Sequence, residues 1–304
     1  IIGDYDVDGV VSTYILYRTL LMLGARVSYD IPDRISDGYG INVRIVEDAY
    51  NDQIDTILTC DNGIAAIEQI SLAKQYNMTV IVTDHHSLVK TEEGEPLLPP
   101  ADAIINPQRT DCSYPFKGLC GAAVAYKLCA ALLKYRGVED ADDYLRELVA
   151  FVAIATVCDV MDLVGENRIF VKHGLEQLNS TKKKGLLALM DAAGLTGARL
   201  NTFHLGYIIG PCLNASGRLD TAKMGLALLL ADSKEEAIRL AGELVELNNV
   251  RKSMTQKNVE KAIALIEGSS LKDDMILLVY LEDCHESIAG IIAGRIRERY
   301  NRPA

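Results

Sequence analysis

Carboxylates and imidazoles recur at the ends of apolar segments in the first third of the chain. They are Asp4, Asp6 and Asp8 after the first apolar residues, Asp61-Asn62-Gly63 after a second run, and Asp84-His85-His86 after a third. If the chain stays extended at its start, alternation places the first three carboxylates on one side. Carboxylates at such a short distance repel one another unless a cation lies between them, so the pattern favours a hard divalent metal. Taken alone, Asp-x-Asp is also typical of a solvated acidic turn.

The histidine pair strengthens the metal hypothesis. His85 and His86 are two of only five histidines in the chain. Imidazole beside carboxylate at a strand end is common around transition metals, although histidine pairs also occur as structural residues. Asp61-Asn62-Gly63, likewise, is typical of a plain turn with a helix cap. Because open α/β sheets bind their ligands beyond the carboxyl ends of the strands, the recurrence at three strand ends predicts one shared site.

Asp159 is the fourth candidate element. It follows the apolar run Leu148–Cys158, which predicts a buried helix. A lone ionised carboxylate there costs several kcal/mol unless it is paired or bound to metal. We therefore favour metal ligation for Asp159 over a capping or surface role. Asp162, one turn further on, is predicted to face water.

The elements that position these residues alternate between short apolar runs and amphipathic segments over residues 1 to about 110, which predicts an α/β fold with a parallel sheet flanked by helices. The predicted strands are Ile1–Gly3, Val27–Ile31, Thr56–Cys60, Thr79–Thr83 and Ala103–Ile105, and the predicted helices are Val10–Leu23, Ile41–Tyr50 and Ile64–Tyr76. The Pro-rich segment Glu92–Pro107 is predicted to be a loop leading to the last strand.

A long helix is predicted from the N-cap Ser233 to about Glu267, with Gly268 after its end. A strand over Asp274–Tyr280 and a further helix through Arg299 are expected to follow it.

Composition limits what this chain can do. With 304 residues it has room for two domains. A net charge of −11 excludes a general basic surface for nucleic acid, so any such binding uses a local groove or bound metal ions. Seven cysteines without a C-x-x-C pair indicate reduced thiols of a cytoplasmic protein rather than disulfides or a zinc site. No apolar run reaches the roughly 18 to 20 residues that cross a bilayer, and no signal peptide is visible, so no membrane partner is expected.

The four motifs together resemble those of the DHH phosphoesterase superfamily. They are Asp4-Tyr5-Asp6-Val7-Asp8-Gly9, Asp61-Asn62-Gly63, Asp84-His85-His86 and Thr156-Val157-Cys158-Asp159. Within the superfamily the chain is most similar to the RecJ family of single-strand-specific exonucleases. The stretches that carry this finer resemblance are Arg34–Gly40, Gly121–Leu128, Gly210–Leu219 and His285–Arg295.

The resemblance implies three parts. They are a DHH catalytic domain over residues 1–190, an inter-domain helical region with the long connector helix over 191–268, and the start of a DHH-associated C-terminal domain, a partial second α/β domain, over 269–304. Because RecJ relatives continue further, we expect the segment to be a catalytic core cut at both ends.

The resemblance also implies roles for single residues. One divalent cation would be held by Asp8, Asp61, His85 and Asp159, and a second by Asp6 and Asp61 with Asp4 nearby. Mn²⁺ is the expected ion and Mg²⁺ the alternative. His86 would face the scissile phosphate, and Asp84 would orient the neighbouring imidazole. Substrate phosphate would be bound by Arg34, Asn214, Gly217, Arg218 and His285.

The activity implied by the resemblance is metal-dependent hydrolysis of single-stranded DNA from the five-prime end, releasing mononucleotides during DNA repair and recombination. The expected partners are single-stranded DNA, a single-strand-binding protein and a helicase. Bases would stack on tyrosines such as Tyr39 or Tyr207. The alternatives are a nano-RNase or a nucleotide or cyclic-dinucleotide phosphodiesterase of the same superfamily, and a non-catalytic DHH scaffold. Because every expected ligand position is filled, an enzyme is favoured over the scaffold.

Overall fold

The computed structural model of the chain describes all 304 residues. The α-helices are α1 (Val7–Met22), α2 (Val43–Asn51), α3 (Ile67–Gln75), α4 (Gly121–Tyr135), α5 (Ala141–Cys158), α6 (Gly165–Leu178), α7 (Lys184–Ala192), α8 (Thr202–His204), α9 (Gly210–Leu219), α10 (Lys223–Leu230), α11 (Lys234–Glu267) and α12 (Glu286–Tyr300). A π-helix over Leu205–Ile209 joins α8 to α9, and a 3₁₀-helix covers Ser270–Asp273. The strands are β1 (Thr56–Cys60), β2 (Thr79–Thr83), β3 (Val89–Lys90), β4 (Pro96–Leu97) and β5 (Ala103–Ile105).

The central sheet is parallel with the order β1-β2-β5, and Cys60 of β1 pairs with Thr83 of β2. Strands β3 and β4 form a separate antiparallel pair, in which β4 lies inside the predicted loop Glu92–Pro107 and β3 lies just before it. The expectation of an α/β fold with a parallel sheet and flanking helices is therefore confirmed. Because β1 and β2 run in the same direction and in register, the residues that follow them leave the sheet at one edge.

Two predicted strands, Ile1–Gly3 and Val27–Ile31, are wrong as regular strands. Ile2 forms only isolated parallel bridges to Asp30 and Thr59. Its backbone N–H donates to the Leu58 carbonyl at 2.9 Å, and its carbonyl accepts from Cys60 at 2.9 Å. The pairing stops there because the chain turns after Gly3 toward α1.

Helix α1 begins three residues earlier than predicted, because Asp6 is its N-cap. The Asp6 carboxylate accepts a hydrogen bond from the Gly9 N–H at 3.0 Å. Asp8 consequently lies in the first helical turn and not in an extended segment. The prediction that alternation aligns Asp4, Asp6 and Asp8 is wrong. A turn and a helix start bring these carboxylates together.

In contrast to α1, helices α2 and α3 begin later than predicted, at Val43 instead of Ile41 and at Ile67 instead of Ile64. Asn42 caps α2 by accepting from the Ile45 N–H at 3.0 Å. A cap of this kind satisfies a backbone donor that has no partner within the helix, and it sets the point where the helix starts.

The long helix is present as predicted. Ser233 caps α11 by accepting from the Glu236 N–H at 3.1 Å, and Gly268 follows its last residue. Its 34 residues span about 51 Å. The first half of α11 packs into the largest core cluster, of 40 buried residues, and the second half packs with α12 in a separate cluster of seven. The boundaries at residues 190 and 268 stay a prediction.

The predicted strand Asp274–Tyr280 is wrong. These residues are irregular, and the side chains of Met275, Leu278 and Tyr280 are exposed by 82, 78 and 82%. Only Leu277 is buried, and its N–H donates to the Pro303 carbonyl at 2.8 Å. No neighbouring strand offers a ladder of hydrogen bonds, so the apolar run does not form a strand.

Helix α6 packs closely against α5 at Gly174. Helix α5 has Asp159 as its C-cap, so this packing supports the helix that carries Asp159. A Cβ at Gly174 would lie 2.2 Å from the Ala153 Cβ and 2.6 Å from the Val149 carbonyl oxygen. We expect Gly174→Ala to lower the free energy of unfolding by about 1–3 kcal/mol, because the helices must separate. Urea denaturation monitored by circular dichroism measures this change.

The matched control is Gly242→Ala on α11, where a Cβ would meet nothing within 4 Å. There alanine is expected to raise the free energy of unfolding by about 0.5–1 kcal/mol through helix propensity alone. Equal unfolding midpoints for the two variants would contradict the proposed close packing of α5 and α6.

Candidate metal centre and phosphate-binding residues

The segments after β1 and β2 are held side by side at the carboxyl edge of the sheet. The Asp61 N–H donates to the Thr83 carbonyl, and the Asp84 N–H donates to the Ile105 carbonyl, each at 3.0 Å. Asp61 has a left-handed backbone with φ 62°, which non-glycine residues rarely adopt. Such strained conformations persist where the surrounding structure enforces them, and they concentrate at functional sites.

Four predicted ligands surround one point. The His85 Nε2 atom lies 3.1 Å from Asp61 Oδ1, 3.6 Å from Asp8 Oδ2 and 3.6 Å from Asp159 Oδ2. One ligand atom each from Asp8, His85 and Asp159 lie within 4.8 Å of one another. The structure therefore brings together residues that are 151 positions apart in sequence, from 8 to 159.

A second group shares Asp61 with the first. Carboxylate oxygens of Asp4, Asp6 and Asp61 lie within 4.8 Å of one another. Asp4 and Asp61 are almost fully buried, at 3% and 2% exposure. Asp61 thus contacts both groups.

The Asp8 carboxylate is fixed by the start of α4. Its two oxygens accept hydrogen bonds from the Gly121 N–H at 2.6 Å and the Ala122 N–H at 2.8 Å. These backbone donors and the positive end of the helix dipole stabilise a negative charge at this point. Sequence reasoning marked Gly121–Leu128 only by resemblance and did not find this role. No local sequence signal reveals it, because the two partners are 113 residues apart.

Gly121 also sets the space available to Asp61. A Cβ at position 121 would lie 2.7 Å from both Cβ and Oδ1 of Asp61. A side chain there would push the shared carboxylate out of place. The glycine is therefore required by close packing against the Asp61 side chain.

Asp159 lies just after the last residue of α5, as the C-cap, with its side chain 23% exposed. The predicted buried helix is confirmed over its apolar part, but Asp159 itself stands at the helix end and reaches the cleft. The next residue, Val160, has φ 55° and is 87% exposed. A β-branched residue in this conformation is strained.

Asp84 orients the second histidine. Its Oδ1 lies 2.8 Å from His86 Nδ1 and also accepts from the His85 and His86 N–H groups at 2.7 and 3.1 Å. Its Oδ2 accepts from the Ile64 N–H at 2.9 Å. Burial is the largest single influence and would raise the pKa of Asp84, but the hydrogen bond and charge of His86 and the backbone N–H donors of Ile64 and His86 together leave that pKa lowered. The same hydrogen bond raises the pKa of His86, whose side chain is 45% exposed.

Tyr39 contacts the pair formed by Asp84 and His86. The sequence analysis proposed Tyr39 for base stacking and did not predict this contact. Its hydroxyl donates to the Asp61 carbonyl at 2.9 Å and lies 3.2 Å from His86 Nδ1. Burial is the largest cause of its raised pKa, followed by the negative charge of Asp61. The phenol is therefore a fixed neutral donor beside the two histidines.

The buried carboxylate oxygens and the buried imidazole nitrogen fit divalent cations. Asp4 Oδ1, Asp61 Oδ1 and His85 Nε2 are buried and have no hydrogen-bond partner. Burial, followed by the charge of Asp6, raises the pKa of Asp4 to about 7. Burial, followed by the charge of Asp8, raises the pKa of Asp159 to about 8. Unpartnered oxygen and imidazole nitrogen atoms around a common point are what a divalent ion satisfies.

Two of the predicted phosphate-binding residues, Arg34 and Gly217, lie against Tyr5. The Arg34 guanidinium is 4.8 Å from the Tyr5 ring centroid, and a Cβ at Gly217 would lie 2.3 Å from the Tyr5 carbonyl oxygen. Arg218, next along, donates to the Ser287 carbonyl at the start of α12. Asn214 Oδ1 accepts from the Val7 N–H at 3.1 Å, so that oxygen already caps α1. The structure brings Arg34, Gly217 and Arg218 together.

His285 is held by a short contact between its Nδ1 and the Ser287 hydroxyl at 2.7 Å. Because Ser287 also receives Arg218, His285 and Arg218 meet at the same turn. A role for either residue toward substrate stays a prediction.

The loop that carries Arg34 is clamped by residues that sequence reasoning missed. Arg44 on α2 donates to both oxygens of Asp37, at 3.0 and 2.6 Å. Asp33 accepts from the N–H groups of Ile35 and Ser36, each at 3.0 Å. In the sequence, only Asp37 at the start of Asp37-Gly38-Tyr39-Gly40 could have indicated this clamp. Its partner Arg44 is known only from the tertiary fold.

Comparison with known proteins identifies the family. The model of the DHH family, N-terminal domain, matches residues 1–156. This chain belongs to the DHH family. No helix combines the length and apolar character required to span a membrane.

The chain is similar to RecJ proteins along its whole length. The single-stranded-DNA-specific exonuclease RecJ of Escherichia coli is 38% identical over 315 residues, covering 100% of this chain and 54% of that protein. A crystal structure of exonuclease RecJ bound to manganese has a TM-score of 0.86 at 34% identity and covers 99% of this chain and 73% of that one. RecJ from Thermus thermophilus gives a TM-score of 0.82 in complex with Mn²⁺ and 0.71 in complex with Mg²⁺. The chain spans about half the length of the Escherichia coli relative.

The raised carboxylate pKa values predict that Mn²⁺ binding is coupled to pH. The folded pKa values of Asp4 and Asp159, about 7 and about 8, exceed the ordinary 3.8. The metal-free folded chain therefore holds protons that the unfolded chain releases, and its stability falls as pH rises through this window. A cation must displace those protons, so its affinity rises with pH. Thermal unfolding should show a Mn²⁺-induced increase in Tm that grows from about pH 5.5 to about pH 8. An increase independent of pH would contradict the assignment.

Gly121→Ala is expected to weaken Mn²⁺ binding by about tenfold or more, because the new methyl group displaces the Asp61 carboxylate. Isothermal titration calorimetry measures the affinity. The control is Gly118→Ala, where a Cβ would lie no closer than 3.6 Å to Phe116 and would leave the ligands in place. If both variants bind Mn²⁺ equally well, Asp61 is not a ligand.

Proposed function

We propose that this chain is the catalytic core of a nuclease that hydrolyses single-stranded DNA from the five-prime end, releasing mononucleotides in DNA repair and recombination. One structural observation carries the proposal: Asp8, Asp61, His85 and Asp159 converge on one point while Asp61 also faces Asp4 and Asp6. The similarity to RecJ exonucleases over 99–100% of the chain supports both the reaction and the substrate.

The residues divide into two ligand sets. Asp8, His85 and Asp159 would hold one cation together with Asp61, whose Oδ1 lies 3.1 Å from His85 Nε2, and Asp4, Asp6 and Asp61 would hold the other. Mixed imidazole and carboxylate donors suit Mn²⁺, with Mg²⁺ as the alternative, and RecJ structures contain one or the other ion. When bound, such a pair of cations acidifies a water toward neutral pH and neutralises charge on the phosphate.

The protein's own groups keep this arrangement rigid. The α4 backbone amides hold Asp8 against the repulsion of its neighbours, and the left-handed turn aims Asp61 between the two groups. Rigid ligands do not reorganise when substrate arrives, which is the condition for efficient electrostatic catalysis.

His86 is the candidate for handling a proton. Asp84 fixes its ring through Nδ1 at 2.8 Å, and the side chain as a whole stays 45% exposed. Because the hydrogen bond with Asp84 raises its pKa, a larger fraction of His86 is protonated near neutral pH. The imidazolium can then donate a hydrogen bond to a phosphate oxygen or a proton to the leaving oxygen.

Arg34 and Arg218 are the candidates for gripping phosphate. Both lie close to Tyr5, next to the carboxylate groups, and neither is paired with a carboxylate. A guanidinium binds two phosphate oxygens at once, and this fixes the distance between substrate and catalytic groups. Asn214, Gly217 and His285 complete the proposed phosphate site.

We further propose a cytoplasmic location and cooperation with a single-strand-binding protein and a helicase. All seven cysteines are free thiols in the structure, as expected in a reducing compartment. A helicase would supply the single strands on which such a nuclease acts.

The decisive experiment compares Asp159→Ala with Asp162→Ala, since Asp159 lies at the ligand cluster whereas Asp162 is exposed three residues further on. Loss of a residue that only hydrogen-bonds to a metal ligand typically costs about 10- to 100-fold, so loss of a ligand itself should lower kcat by at least about 100-fold. Activity is measured as mononucleotide release from single-stranded DNA labelled at either end, with Mn²⁺. Asp162→Ala should cleave like the unmodified chain.

Two results would overturn the proposal. The first is full Mn²⁺-dependent cleavage by Asp159→Ala. The second is a preference of the unmodified chain for dinucleotides over long strands by orders of magnitude, which would point to a nano-RNase.

A further inference from the structure

Helix α9 contacts two of the elements that carry the predicted metal ligands. Gly210, Asn214 and Gly217 stand at positions i, i+4 and i+7, so they lie on one face of this helix. Residues of this face contact the segment around the start of α1, where Asp6 is the cap, and the end of α5, which is followed by Asp159.

Asn214 contacts the first turn of α1 through its side-chain oxygen. The Val7 N–H donates to Asn214 Oδ1 at 3.1 Å, although the two residues are 207 positions apart. Val7 is the first residue of the helix and is only 1% exposed, so its N–H has no partner within α1 and little access to water. Because a buried N–H without an acceptor is costly, the Asn214 oxygen supplies what the start of the helix lacks.

Val7 lies between two predicted ligands. Asp6 precedes it as the N-cap of α1, and Asp8 follows it in the first turn. Without the Asn214 oxygen, the turn would shift until the Val7 N–H reached another acceptor, and such a shift moves both carboxylates. A metal ion requires its ligand atoms within a few tenths of an ångström of fixed distances, so a small shift is enough to weaken binding.

Two glycines of α9 make these contacts close. A Cβ at Gly217 would lie 2.3 Å from the Tyr5 carbonyl oxygen, and a Cβ at Gly210 would lie 2.3 Å from the Cys158 Sγ. Cys158 is the last residue of α5 and directly precedes Asp159. The same short helix therefore packs against both ligand-bearing segments and determines how far apart they lie.

We propose that Asn214 is a positioning residue for the two-cation site: its oxygen fixes the turn that carries Asp6 and Asp8, and α9 thereby sets the distance from these carboxylates to Asp159. This inference rests on the proposed nuclease function, whose cations these residues would hold. A phosphodiester anion only accepts hydrogen bonds, so within the Asn214 side chain only the amide can bind substrate. The oxygen acts through Asp6 and Asp8 before any substrate is present.

The test is Mn²⁺ binding to the full chain by isothermal titration calorimetry, without nucleic acid. Asn214→Ala removes the acceptor and should weaken Mn²⁺ binding by about tenfold or more, the usual effect of losing a residue that orients a metal ligand. Asn214→Asp keeps an oxygen at the same place and removes the amide, so it should restore most of the affinity. Its added charge lies at the positive end of the α1 dipole, which stabilises it.

The matched control is Asn179→Ala. The Asn179 oxygen likewise accepts from a backbone N–H, that of Leu200 at 2.8 Å, but its side chain is hydrogen-bonded to none of the predicted ligands. This variant should lower Tm and leave the Mn²⁺ affinity unchanged. Asn214→Ala should reduce both the affinity and the Mn²⁺-induced increase in Tm.

Gly210→Ala tests the same helix from its other end. The new methyl group would press on Cys158 and displace Asp159, so Mn²⁺ binding should weaken although Asn214 is intact. Gly242→Ala, where a Cβ meets nothing within 4 Å, should bind Mn²⁺ normally. If Asn214→Ala does not fold, this pair decides the question, and equal affinities would overturn the role of α9.

The outcomes separate the positioning role from the nuclease function. If Asn214→Ala binds Mn²⁺ as tightly as Asn179→Ala, or Asn214→Asp binds as weakly as Asn214→Ala, the positioning role is wrong, and mononucleotide release by the unmodified chain still supports the nuclease. If the unmodified chain binds Mn²⁺ without cleaving single-stranded DNA, the nuclease function is wrong, and the Mn²⁺ affinities still decide the role of Asn214. If the unmodified chain binds no Mn²⁺, both proposals fail.

Discussion

Repulsion among buried carboxylates is the constraint on which this structure depends. Asp4, Asp8 and Asp61 lie within a small volume with at most 3% exposure, next to Asp6 and Asp159. Left alone, such charges would push their segments apart or take up protons. The surrounding structure opposes this with fixed dipoles, namely the amides of α4 on Asp8 and the N–H of Gly9 on Asp6.

Close backbone packing completes the enclosure. Gly9 and Gly121 leave no room for a Cβ, because one would meet the backbone of Asp4 and the other the side chain of Asp61. The ligands are therefore supported by tightly packed chain on several sides. A rigid site of this kind suits two divalent cations, because carboxylates held in place do not have to reorganise when the cations bind.

Much of this arrangement could be predicted from the sequence. Strong apolar runs placed β1, β2 and β5 correctly, and the rule that ligands lie beyond the carboxyl ends of parallel strands brought Asp61 and His85 together. The long helix α11 was readable because its caps, Ser233 and Gly268, stand at both ends of an uninterrupted helical pattern. Each of these features depends on residues that are close together in the sequence, so each can be recognised without knowledge of the fold.

The failures have a common cause in tertiary contacts. The start of α1 moved because Asp6 caps the helix instead of continuing an extended segment, and the strand predicted over Asp274–Tyr280 found no partner. The amides of Gly121 and Ala122 that hold Asp8, and the Arg44 clamp on the Arg34 loop, join segments far apart in the chain. Only the folded structure shows such partners.

Helix α11 has a mechanical consequence. It enters the large core with its first half and the small core with its second, and no loop interrupts its 34 residues. No flexible hinge therefore lies within α11 between the two cores. Along this connection the cores can move relative to each other only if the helix itself bends.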